Sequence, residues 1–132
     1  MAGVFQKLNL KNQKEILVLN APNSFEGELA FLSDVSIKRN LMDVEEIDFA
    51  LVFVTTKKEV DEISQKLAAK ARGDVLIWFV YPKGTSKKHK ADFNRDNGWD
   101  VIETAGYQPV RMVAIDEDWS ALRYRRSVYV KR

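Results

Sequence analysis

Lys83, Thr85 and Ser86 bring one ammonium and two hydroxyls into a loop that Gly84 loosens, the kind of donor set an oxyanion accepts. Further along, Asp116 in Ile115-Asp116-Glu117-Asp118-Trp119 offers a carboxylate able to receive a proton or to orient an amine or hydroxyl. Trp119 beside it could stack on a flat ligand, or it anchors a hairpin to the core, since an indole buries roughly 200 Å². Arg123 is spaced to reach Asp116 across that hairpin, as an ion pair fixing the turn. Asn20 and Pro22 in Asn20-Ala21-Pro22-Asn23-Ser24, with Thr55 before Thr56-Lys57, complete the polar positions next to apolar runs. The ligand-binding candidates are therefore Asn20, Pro22, Thr55, Lys83, Thr85, Ser86, Asp116, Trp119 and Arg123. No residue is assigned a catalytic role.

Several chemistries are excluded by composition. The 132 residues contain no cysteine, which removes disulfides, thiolate nucleophiles and sulfur-ligated zinc. The single histidine, His89, sits between Lys88 and Lys90 with no acidic neighbour, so neither a triad nor a histidine-based metal centre can be built. Neither a cofactor nor a metal is named by this sequence. The net charge of +2 is too small to argue for a polyanionic partner, but it is unevenly spread. Lys83, Lys87, Lys88 and Lys90 form one basic segment, and Arg123, Arg125, Arg126, Lys131 and Arg132 another; if they shared a face they could hold phosphates, whereas the plainer reading is solvated loops. The longest apolar runs, Phe49 to Val54 and Val75 to Tyr81, fall well short of the roughly 20 residues a membrane helix needs. Met1 to Gln13 also lacks a signal peptide's apolar stretch, so the expected compartment is the cytoplasm.

The elements that must position these residues follow from hydrophobic patterning. Ile16 to Leu19, Phe49 to Val54 and Val75 to Tyr81 are continuous apolar runs, as in strands of a parallel sheet buried on both faces. Between the last two, Val60, Ile63, Leu67 and Ala71 recur at three and four, predicting a helix over Lys57 to Arg72. Thr56 with Glu59 makes its capping box and Gly73 its left-handed end. A short helix over Glu26 to Leu32, capped by Asn23 or Ser24, and a minor strand over Val35 to Lys38 follow the first strand. After the basic loop a helix is expected over Asp92 to Ala105, ended by Gly106, with Asn97 and Gly98 weakening its first turn. Pro109 to Ile115 and the alternating Ala121 to Val130 are joined by Asp116 to Ser120, a link too short for a helical crossover, so the last strand runs antiparallel. The expected fold is a single α/β domain over residues 1–132, a Rossmann-like three-layer sandwich. Its mostly parallel sheet has five or six strands and an antiparallel C-terminal hairpin strand, preceded by a helical arm over residues 1–14 with a helix near Val4 to Leu8. Oligomeric state is not readable, although a free edge near Val35 to Lys38 could support a dimer.

This layout, with Ala71-Arg72-Gly73-Asp74-Val75-Leu76-Ile77 leading into a strand and a closing pair over Val110 to Val130, resembles the C-terminal half of Rossmann-like methyltransferases. That family implies an S-adenosylmethionine (SAM) site built on a glycine-rich turn after the first strand and an acidic residue ending the second. Here the turn reads Asn20-Ala21-Pro22-Asn23, without glycine, and Pro22 removes a backbone donor. The chain also resembles, almost end to end, a bacterial family of domains of unknown function. The shared features are Leu19-Asn20-Ala21-Pro22 with Phe25, an aromatic residue before Pro82-Lys83 with Ser86, Asp92 before a helix closing on Gly106, and Ala114-Ile115-Asp116-Glu117-Asp118-Trp119-Ser120-Ala121-Leu122-Arg123. Tyr81 stands where that family usually has tryptophan, and Ala121 where it often has glycine. The resemblance implies the fold and no reaction.

Parallel strands of this kind bind ligands beyond their carboxyl ends, where Asn20 to Ser24, Thr55 to Lys57, Pro82 to Ser86 and Asp116 to Ser120 would converge. The expectation is a non-catalytic or weakly catalytic module that lacks the usual SAM site and binds a small molecule or protein at that edge. The alternative is a small enzyme, or a nucleotide- or phosphate-binding protein, using Lys83, Thr85, Ser86, Asp116 and Trp119. A third reading is nucleic-acid binding through Lys83 to Lys90 and the basic tail, with Tyr107, Tyr124 or Tyr129 stacking on bases. The expected partner is a small anionic or nucleotide-like ligand, with nucleic acid not favoured and no membrane.

Overall fold

The computed structural model describes residues 4–11, 13–32, 35–87, 90–93 and 97–130. Helix α1 (Val4–Lys7) leads into β1 (Glu15–Leu19); a 3-10 turn at Asn23–Phe25 continues as α2 (Glu26–Leu29), and β2 (Ser36–Lys38) follows. A second 3-10 turn, Leu41–Asp43, precedes β3 (Ile47–Phe53), α3 (Lys57–Lys70) and β4 (Ala71–Pro82). The chain then forms α4 (Asp100–Thr104), β5 (Tyr107–Ala114), β6 (Trp119–Arg126) and a closing 3-10 turn at Ser127–Tyr129. Six strands make one sheet in the order β2-β1-β3-β4-β6-β5. β2, β1, β3 and β4 run parallel, and β6 lies antiparallel to both of its neighbours, so the expected α/β architecture with its antiparallel hairpin strand is the one observed.

The continuous apolar runs are explained by cover on both faces. Residues 49–53 of β3 and 75–81 of β4 are buried throughout, one face under α3 and α4 and the other under α1 and α2. Val60 and Leu67 of α3 join Ile102 of α4 in the first layer, and Val4, Phe5 and Leu8 join Phe25 and Leu29 in the second. Trp78 is fully buried in the second layer, and its indole N–H donates to the Leu8 carbonyl at 2.9 Å, pinning the end of the α1 segment to β4. The capping box of α3 is present as expected, with the Thr56 hydroxyl accepting from Glu59 N and the Glu59 carboxylate accepting from Thr56 N.

The helix expected over Glu26 to Leu32 stops at Leu29 and the strand expected over Pro109 to Ile115 runs from Tyr107 to Ala114, and four further positions differ from expectation. α3 ends at Lys70, because Ala71 already pairs with Ile47 of β3; Gly73, at φ +54°, sits inside β4 where the register shifts and does not end the helix. Pro22, with no side-chain bond, takes the cap position given to Asn23 or Ser24, since the turn begins one residue earlier. α4 starts only at Asp100: Gly98 has φ +96°, which no helix continues through, and packs on the buried Phe93. β6 stops at Arg126 and leaves Val128 86% exposed, so the expected alternation to Val130 fails where Ser127 N turns back to the Gly106 carbonyl.

Candidate functional site

The four polar segments do converge at the carboxyl edge of the parallel strands. Asn20, the first residue beyond β1, takes a left-handed backbone at φ +60° and donates Nδ2 to the Phe53 carbonyl at 3.3 Å. It thereby ties the ends of β1 and β3 together, where the strand order reverses from β2-β1 to β3-β4. Pro22, extended at ψ 159°, turns the chain into the 3-10 segment and accepts from Phe25 N at 2.9 Å. Thr55 spends its polar groups internally: its N–H and hydroxyl both donate to Glu59 Oε1, and its carbonyl accepts from Asp92 N at 3.3 Å. Asp92 in turn accepts from Lys57 N at 2.6 Å, fastening the segment before α4 to the first turn of α3.

On the other side of the edge, Lys83 N donates to the Asp118 carbonyl at 2.8 Å and the buried Ser86 hydroxyl donates to the Asp118 carboxylate at 2.9 Å. Asp118, which sequence reasoning passed over, is thus the residue that fastens the loop after β4 to the β5–β6 turn. Asp116 holds the turn itself, accepting from Asp118 N at 2.8 Å and Trp119 N at 2.9 Å through Oδ1. Trp119 is only 5% exposed and meets Phe53 edge-on at 5.4 Å between ring centroids, the packing of a core anchor. Lys83 and Thr85 line a recess of about 600 Å³ with Tyr81, Lys90, Phe93 and Met112, whereas Ser86 turns away from it toward Asp118.

The expected Arg123–Asp116 pair does not form: the register sets Arg123 opposite Arg111, while Asp116 Oδ1 accepts from backbone N–H groups of its own turn. Arg123 instead lies between Trp78 of β4 and Arg111 of β5. Burial depresses the proton affinity of its guanidinium, and the neighbouring Arg125 and Arg111 push the same way, opposed by Asp74. His89, Lys88, Lys131 and Arg132 lie outside the described residues, and with them part of the suggested basic face.

A second recess escaped sequence reasoning. A groove of about 480 Å³ begins at Leu19 and Asn20, passes Arg39, Asn40, Leu41 and Met42 beyond β2, and follows α3 along Ile63, Lys66, Ala69 and Lys70. Its floor is held from both ends. Arg39 forms a two-pronged bond to Glu26 at 2.8 and 2.9 Å, keeping that exposed carboxyl below its ordinary proton affinity. Lys70 Nζ donates to the Leu41 and Val44 carbonyls. Asn40 Oδ1 accepts from Met42 N at 3.0 Å and caps the 3-10 turn. The asparagine cap before Leu41 was the one local signal available. A wider depression of about 940 Å³ lies by Lys14, Glu15, Asp43, Glu45, Glu46 and Asp48; Arg72 crosses it to Asp48 and Glu46, which makes it a solvated charge network and no enclosed site. Among the described residues there is no cluster of metal-ligating side chains and no helix long and apolar enough to cross a membrane.

Comparison with protein-family models and with curated proteins gives no match. Solved structures do match. A SAM-dependent methyltransferase from Aquifex aeolicus superposes over 93% of this chain and 87% of its own, at TM-score 0.67 and 12% identity. The magnesium protoporphyrin IX methyltransferase of Synechocystis, with bound SAH, covers 94% of this chain and 78% of its own at TM-score 0.59 and 12% identity. The fibrillarin pre-rRNA processing protein of Methanococcus jannaschii covers 88% and 67% at TM-score 0.56 and 10% identity. The fold is methyltransferase-like. This corrects the expectation of a non-catalytic module without the usual SAM site, for which the missing glycine-rich turn was one ground: the likeness to methyltransferases extends over nearly the whole chain.

Proposed function

We propose that the chain is a methyltransferase-like domain that binds a small nucleoside ligand of the SAM class in the groove along α3. The observation that carries this reading is the position of the groove, open at the carboxyl ends of β1 and β2 beside the point where the strand order reverses. Open α/β sheets take nucleotide-type ligands at that crevice. The lining suits such a ligand. Leu41, Met42 and Ile63 supply apolar walls for a flat purine. Asn20 has spent Nδ2 on Phe53 and keeps Oδ1, while Asn40 has spent Oδ1 on Met42 N and keeps Nδ2. One acceptor and one donor are therefore left for ribose hydroxyls, in place of the carboxylate that commonly holds them. Lys66 offers an ammonium to the ligand's carboxylate. SAM, when bound, supplies an electrophilic methyl group on its sulfonium; this chain's residues orient the nucleoside and keep one face of it dry.

Calorimetry and thermal melting with SAM, SAH and adenosine test the reading. A ligand present at 100 times its Kd adds about 2.7 kcal/mol of stability. At an unfolding entropy of about 0.28 kcal/mol/K for 132 residues, that is a rise of about 10 °C. Asn40→Ala should weaken SAH binding roughly tenfold, the loss of about 1.4 kcal/mol. Ile63→Arg, which fills the groove from α3 without touching the asparagines, should abolish it. No melting shift with any of the three ligands at millimolar concentration refutes the proposal.

A further inference from the structure

We propose that the face of the β5–β6 hairpin on the α1 side binds a phosphate monoester through Arg111 and Arg123. This site is separate from the groove, which lies on the α3 side of the sheet, and it stands whether or not the nucleoside reading holds.

Arg111 and Arg123 are direct cross-strand partners, although like charges in that position repel across Cβ atoms only about 5 Å apart. The pairing ends the regular ladder that runs from Ala114–Ser120 through Met112–Leu122, and a bulge lies just beyond it. Pro109 pairs with Tyr124 and Arg111 with Arg123, so Val110 is the extra residue. The arrangement also has an uncompensated cost. Arg123 Nε is sealed from solvent and has no hydrogen-bond partner among the described residues.

Among the described residues no carboxylate forms an ion pair with Arg111 or Arg123. The groups acting on Arg123 are Arg125, Asp74 and Arg111. Asp74 is already held by Arg125 at 2.8 and 2.6 Å through both of its oxygens. Two guanidiniums thus share one sheet face with no counter-ion in contact among the described residues, and Arg123 is flanked on its other side by Trp78 of β4. A dianionic oxyanion matches this need: it offers several acceptor oxygens to two planar forks and cancels the repulsion between them. Arg111 is exposed and Arg123 half-exposed, so the ligand enters from solvent.

The test titrates the protein with inorganic phosphate at pH 8 and constant ionic strength, followed by phosphorus NMR and calorimetry. Saturable binding is expected, weakened roughly tenfold or more in Arg111→Gln and in Arg123→Gln. Arg72→Gln, at the start of β4 and held by Asp48 and Glu46, should leave it unchanged. In phosphate-free chloride buffer Arg111→Gln should melt higher than the wild type, because it removes the like-charge pair. Parallel titrations with O-phosphoserine and glucose 6-phosphate identify the source: tighter binding of the first points to a phosphorylated protein segment, of the second to a metabolite, and either supports the site. Equal phosphate affinity in the wild type and both hairpin variants overturns the proposal, as does a lower melting point for Arg111→Gln without phosphate.

Discussion

Replacing Glu59 by alanine should destabilise the protein by about 2 kcal/mol, more than loss of an ordinary helix cap. One oxygen, Oε1, accepts the N–H of Thr55 at 2.9 Å and of Thr56 at 3.1 Å, and it lies within 3.2 and 3.4 Å of the two hydroxyls. Removing it orphans two partly buried N–H groups at once. Both can be rehydrated at an edge that water reaches, so the cost stays below that of two sealed donors. The unfolding entropy of about 0.28 kcal/mol/K translates 2 kcal/mol into a fall of about 7 °C in the melting midpoint. Glu59→Gln keeps an acceptor in place without the charge and should lose roughly half as much. The damage should be local as well as global. Thr55 also carries the carbonyl that receives Asp92 N, so amide exchange at residues 55–57 and 92 should quicken before the rest of α3. Differential scanning calorimetry with hydrogen exchange reads both effects. A Glu59→Ala midpoint within about 1 °C of the wild type would show that the carboxylate is dispensable and that α3 is held by Val60 and Leu67 alone.

Two other predictions concern buried or strained positions. Tyr124 is fully buried with its hydroxyl on Glu103 at 3.3 Å; burial, then the nearby carboxylate, holds the phenol well above its usual range. The folded state favours the neutral form, so this contribution is complete below the unfolded phenol's pKa of about 10 and is lost as pH rises beyond it. Tyr124→Phe should cost about 1 kcal/mol at neutral pH, and the gap to the wild type should close in denaturant melts above pH 10; a constant gap refutes the assignment. Among the glycines, Gly98→Ala should cost about 2 kcal/mol, because a Cβ there would lie 2.7 Å from Phe93 Cβ on a backbone at φ +96°. Gly27→Ala, in α2 with nothing within 4 Å, should instead gain about 0.5–1 kcal/mol; equal effects at the two sites would contradict the backbone geometry.

The central strands and α3 were legible because each is specified locally. An unbroken apolar run such as Phe49 to Val54 has few homes other than a strand covered on both sides, and Thr56 with Glu59 marks a helix start by its own chemistry. The short link from Asp116 to Ser120 likewise fixed the direction of β6. Boundaries set by distant partners were not legible. Ala71 and Arg72 continue the periodicity of α3, and only their contacts with Ile47, Asp48 and Glu46, more than twenty positions away, draw them into β4. The groove was invisible for the same reason: Asn20, Asn40 and Ile63 are ordinary residues in sequence and become one surface only when β1, β2 and α3 meet.

The turn after β1 shows why an absent motif was a poor guide. Glycine is usual there because a strand that must turn sharply into a helix at a ligand site calls for a left-handed residue, and glycine enters that region without strain. Asparagine is among the side chains that enter it most readily after glycine, since its short amide bonds locally. Asn20 does so at φ +60°, and its amide closes onto the Phe53 carbonyl of the neighbouring strand. A left-handed residue therefore stands at this turn without a glycine. A side chain now occupies space that glycine would have left open to a ligand's phosphate or carboxylate, but it also brings an acceptor oxygen to the rim of the groove. On the proposed reading, recognition at this turn rests on side-chain amides reading hydroxyls and not on backbone N–H groups cradling an anion.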